Sequence, residues 1–74
     1  MISKTLLEAM EEVLPGLEID KIDVTKSFSD NSIDSLDTMS IFLELKEKGI
    51  DLSDEEISSY CETIISTSEY IENR

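Results

Sequence analysis

The chain has no histidine and no tryptophan, a single cysteine, a single proline and two glycines. Without histidine, the usual base for a serine nucleophile is missing, so chemistry of the Ser-His-Asp kind is excluded. No Gly-x-Ser-x-Gly elbow is present to suggest a hydrolase. Lys4, Lys21, Lys26, Lys46 and Lys48 show no motif that would place an amine beside a serine. Cys61 stands alone, so no internal disulfide forms, and a reducing, cytoplasmic setting fits. One cysteine without histidine cannot build the usual Cys/His set for zinc, and no metal is expected. Bases are scarce: 6 Lys and Arg face 18 Asp and Glu, for a net charge of −12. Such a surface cannot release counterions from nucleic-acid phosphates, and it repels anionic membranes. It favours protein partners that carry basic docking patches. No apolar run approaches a membrane span, and Met1-Ile2-Ser3-Lys4 does not begin a signal peptide. Seventy-four residues make one domain, 1–74, expected as a monomer.

The apolar spacing is helical. Leu6, Leu7, Met10, Val13 and Leu14 form a stripe over Ser3 to Leu14, with Ser3 as N-cap and Pro15-Gly16 as the stop. Leu17 to Ile33 reads as a long structured loop pinned by Ile22, Val24 and Phe28. Ser35 to Lys48 forms a second helix that is apolar around much of its circumference, as in a helix with a docking face as well as a core face. Gly49 suits its C-terminal stop. Ser53-Asp54-Glu55-Glu56 is a capping box that opens a short third helix carrying Ile57 and Tyr60. A last helix lies around Ser66 to Glu72, with Ile64 and Ile65 just ahead of it. The expected fold is all-α: a small three-to-four-helix bundle with a long loop between helices 1 and 2 and a short third helix. Cys61 is expected as a small buried residue, and Tyr60 and Tyr70 as core residues with wet hydroxyls.

Asp34-Ser35-Leu36-Asp37 places one hydroxyl at the start of the second helix. Asp34 as N-cap and Asp37 at the third helical position would stabilise any helix start. The context adds more. A helix N-terminus favours anions, so a phosphodiester on Ser35 would sit in a favourable field. The long loop before it exposes the hydroxyl to a modifying enzyme.

The order of Phe28, Asp34-Ser35-Leu36-Asp37-Thr38, Asp54-Glu55-Glu56 and Tyr70-Ile71 resembles that of acyl carrier proteins along nearly the whole chain. By that resemblance the protein is not an enzyme. Ser35 would receive 4′-phosphopantetheine from coenzyme A through a phosphopantetheinyl transferase, which supplies the base and the magnesium. The terminal thiol would then hold acyl intermediates for acyl-transfer, ketosynthase or ligase-type partners of fatty-acid, polyketide or related specialised synthesis. An aminoacyl or peptidyl carrier is the alternative within the class, and an unmodified acidic protein-binding module the alternative outside it. Asp34, Leu36, Asp37, Met39, Glu44 and Glu47 are expected to dock partners. Ile41, Leu45, Leu52, Ile57 and Tyr60 are expected to border a gap for the acyl chain. The chain departs from the family at Ser32 and Ile33, where glycine is usual, and at Ser40, Lys46 and Lys48, where glutamate is frequent. Those departures imply a specialised carrier more readily than the main fatty-acid one. The alternating Asp30, Ser32 and Asp34 do not make a calcium loop, because Ser35 and Ile41 stand where an EF-hand needs glycine and glutamate.

Overall fold

The computed structural model describes residues 2–74. Four helices are present: α1 (Lys4–Val13), α2 (Ser35–Glu47), α3 (Asp54–Tyr60) and α4 (Ile64–Glu72). Two single turns of 3₁₀ helix, Ile19–Lys21 and Ser29–Asn31, interrupt the long connection between α1 and α2. No strand occurs among the described residues. No helix among them is long and apolar enough to cross a membrane.

Each helix starts where a side chain satisfies its first orphan amides. Ser3 accepts from the Leu6 amide at 3.2 Å, Asp34 from Asp37 at 2.8 Å, and Ser53 from Glu56 at 3.1 Å. The Glu56 carboxylate accepts in return from the Ser53 amide, completing the box. α2 ends in a Schellman motif: the Gly49 amide donates to Lys46 and the Ile50 amide to Leu45. Gly49 takes φ of +92° there, which an L side chain resists.

α4 begins at Ile64, ahead of the expected Ser66. Thr63 caps it, and Ser66 reaches back to the Thr63 amide. The next two amides are taken by the long loop: Ile64 donates to the Lys26 carbonyl at 3.1 Å and Ile65 to Val24 at 2.8 Å. The helix start thus depends on a segment far away in sequence, which local spacing does not reveal.

The core joins Leu6, Ala9 and Met10 of α1 to Ile41 and Leu45 of α2 and to Ile64 and Ile71 of α4. Phe28 and Ile33 enter it from the loop, with Ile22 and Val24 half-buried against it. Each fully buried aliphatic side chain contributes about 1.5–3 kcal/mol relative to exposure. The two buried hydroxyls of α4 are partnered: Thr67 donates to the Thr63 carbonyl, and Ser68 accepts from the Ser3 amide. α3 buries no residue completely; Cys61, which caps its C-terminal end, is the buried anchor at that end.

Candidate functional site

The loop before α2 is braced by one side chain. The Asn31 carboxamide accepts from the Asp23 amide at 2.8 Å and donates to the Asp23 and Ser27 carbonyls. Ser32 then turns the chain with φ of +64° and ψ of 24°, a left-handed conformation at one of the two positions where glycine would be usual. Ile33 plunges into the core, and Asp34 and Ser35 emerge at the surface. Ser35 is the first residue of α2. The hydrogen bonds of that turn leave its hydroxyl free: Asp34 serves the Asp37 amide, Thr38 bonds the Asp34 carbonyl, and Ser40 bonds Leu36.

Ser35 also stands at the edge of an open cleft of about 450 Å³ between α2, α3 and the loop. Phe28 and Ile33 line its inner side, Met39 and Phe42 the α2 side, and Ile57 and Cys61 the α3 side. Phe28 meets Phe42 edge-on, with centroids 6.0 Å apart. Asp54 and Glu62 are the charged residues on the lining, and no base joins them. Burial pushes the Cys61 thiol up, so it stays protonated and unreactive. A smaller groove of about 190 Å³ shares Met39, Phe42 and Ile57 and continues along α2 to Leu52 and Lys46.

This arrangement suits a tethered group. An exposed hydroxyl at a helix N-terminus tolerates a phosphodiester, and an apolar trough starts beside it. Phosphopantetheine attachment site is the description of the family that matches residues 4–71. The chain belongs to this family of phosphopantetheine-binding carriers. Comparison with curated proteins and with solved structures returned no match. The group such a carrier bears is 4′-phosphopantetheine, held covalently on serine, and it supplies a terminal thiol for thioester formation. The carrier is a scaffold without catalytic activity of its own, served by partner enzymes.

The expected gap residues divide into three groups. Ile57 and Leu52 lie on the cleft and its extension. Ile41 and Leu45 do not; they are fully buried in the core shared with α1, because they lie on the opposite side of α2 from Met39. Tyr60 is 54% exposed and stacks on Tyr70 outside the cleft, so it is not a core residue and does not line the cleft. Phe42 and Met39 line the cleft instead. Spacing alone did not separate them, since α2 is apolar almost all round.

The residues expected to dock partners differ in exposure. Leu36 and Met39 are 73% and 61% exposed, and Leu43, overlooked in the sequence, is 56% exposed. Positions 36, 39 and 43 follow i, i+3 and i+7, the signal that would have found it. Asp37 is half-buried beside them and Glu47 is exposed. Glu44 is turned toward α1 instead. The neighbouring Glu12 carboxylate raises the pKa of Glu44. The proximity of Glu44, together with the Lys48 ammonium 2.8 Å away, lowers the pKa of Glu12.

Proposed function

We propose that Ser35 is the attachment residue, and that the protein is a cytoplasmic, monomeric acyl carrier for fatty-acid, polyketide or related specialised synthesis. The supporting observation is the free Ser35 hydroxyl at the head of α2, opening onto an apolar cleft. In loading, Ser35 Oγ bonds to the phosphorus that bears the pantetheine. The bond from that phosphorus to the adenosine-bearing phosphate of coenzyme A breaks. The serine proton passes to a base of the transferase, since the chain has no histidine to take it. Asp34 and Asp37 hold the first turn that presents the hydroxyl.

Partners would dock over the exposed Leu36, Met39 and Leu43, with Asp37 and Glu47 meeting basic groups. Glu44 contributes less than its sequence position suggests, because Glu12 and Lys48 engage it. An aminoacyl carrier is the second reading. Its support is the cleft's charge: Asp54 and Glu62 would attract a cargo ammonium, and no base opposes it.

Incubation of the apo protein with coenzyme A and a broad-specificity transferase tests the assignment by intact mass. One phosphopantetheinyl group should be gained, and Ser35→Ala should gain none. Modification that persists in Ser35→Ala places the group elsewhere. Competition between equal-length acyl and aminoacyl loads then separates the two cargo readings.

A further inference from the structure

Of the four large apolar or aromatic side chains most exposed, Leu36, Met39 and Leu43 lie along α2, and the fourth, Tyr60, does not. Tyr60 projects from the last turn of α3 and stacks on Tyr70 of α4, with centroids 4.7 Å apart and planes 10° from parallel. Tyr70 is held in place by its hydroxyl, which donates to the Glu56 carboxylate. The pair therefore forms an aromatic platform while α3 is docked, with one face of Tyr60 covered by Tyr70 and the residue still half open to water. Glu69, Ser66 and Asn73 complete a shallow concavity around it of about 320 Å³.

The charge around this platform is one-sided. From residue 51 onward there are seven acids and one base, Arg74. The ion pairs among the described residues are Lys21–Glu18 and Lys48–Glu12, so Glu69 is left unpaired at the rim. A tyrosine face attracts a cation, and a carboxylate beside it adds a fork for two N–H donors. A guanidinium satisfies both at once, because it is planar and can stack while it donates sideways; an ammonium cannot stack in this way.

We propose that the Tyr60–Tyr70 platform is a second docking site, separate from the α2 face, and that it takes an arginine-bearing basic segment of a partner protein. Ser35 does not line this concavity. A partner gripping it can therefore hold the carrier while the α2 face and the prosthetic group remain available to another enzyme.

The full chain, labelled for NMR, is titrated with a short capped peptide containing two arginines and, separately, with its lysine counterpart. The expected result is shifts centred on Tyr60, Glu69 and Asn73, and affinity for the arginine peptide about threefold or more above the lysine peptide. Tyr60→Leu keeps the bulk without the ring and should erase that preference, while Tyr60→Phe should keep it. Phosphopantetheinyl loading of Ser35 should be unchanged in both variants, so failure here leaves the attachment reading standing. Equal affinity for both peptides, or shifts spread over the whole acidic surface, overturns the proposal. Tyr60 shifts that depend on protein concentration without peptide also overturn it, and assign the platform to a second copy of the chain.

Discussion

The Asp34 carboxylate accepts the Asp37 amide at 2.8 Å, so the acid next to Ser35 closes the first turn of α2. Its charge and its capping geometry are separable by substitution. Asp34→Asn should keep the cap and leave stability within about 0.5 kcal/mol, whereas Asp34→Ala should cost about 1 kcal/mol. Urea unfolding midpoints check both. If loading of Ser35 follows the cap, Asp34→Asn should load like the parent and Asp34→Ala should load slowly.

Ser32 holds a left-handed backbone with no side-chain hydrogen bond to compensate, φ being +64°. Relief of that strain exceeds the extra freedom glycine gains in the unfolded chain. Ser32→Gly should therefore stabilise the fold by about 0.5–1 kcal/mol. A lower urea midpoint in this variant would show that the turn is unstrained.

Gly49 gives the converse case. A methyl group there meets nothing within 4 Å, but φ is +92°. Gly49→Ala should cost about 1 kcal/mol from backbone strain alone. Gly16→Ala, equally open and without positive φ, should be neutral or slightly stabilising. Parallel thermal melts of the two variants provide the comparison.

The Glu12–Glu44–Lys48 cluster sets a pH dependence with opposite signs. Glu12 is lowered in the folded state by the neighbouring Glu44 carboxyl and by the Lys48 ammonium, so its contribution is present above the unfolded value and is lost as pH falls. Glu44 is raised by Glu12, so its contribution is present at low pH and is lost as pH rises through the folded value. Lys48, raised by Glu12, loses its contribution only on the alkaline side of its usual 10.5. Glu44→Gln should melt higher than the parent at pH 7. The difference should vanish below the ordinary glutamate value of 4.5, where Glu44 is protonated anyway.

Cargo length probes the cleft walls. Normally packed side chains yield space only at a cost, about 1–3 kcal/mol for overpacking. Ile57→Ala and Phe42→Ala should make thermal stability rise more steeply with acyl length than in the parent, because both line the cleft. Tyr60→Ala should leave the dependence unchanged, since Tyr60 lies outside it. A change in Tyr60→Ala alone would relocate the cargo.

The helices and their starts were legible because capping chemistry is local: Ser3, Asp34 and Ser53 each accept from the third residue onward. The exposed hydroxyl at the head of α2 was legible because the cap that presents it, Asp34 to Asp37, is local, whereas the cleft beside it was not, because Ile57 and Cys61 come from α3. The start of α4 was not, since its first amides bond to Lys26 and Val24. The exposure of Tyr60 is not legible in the sequence, because α3 is too short for periodicity to fix which way its last turn faces. Leu43 was lost in a helix whose apolar residues point both inward and outward.

The absence of a fully buried residue within α3 sets an order of unfolding. A helix of seven residues is marginal by itself, and this one is fastened by its capping box, the Glu56–Tyr70 bond and Cys61 at its end. It can detach as a unit while the core residues of α1, α2 and α4 stay packed. Its amides should therefore exchange with deuterium well before those of Leu45 or Ile71. Each such excursion removes the Ile57 wall of the cleft, so any acyl group held there should be released at the rate at which one small helix opens rather than at the rate of global unfolding.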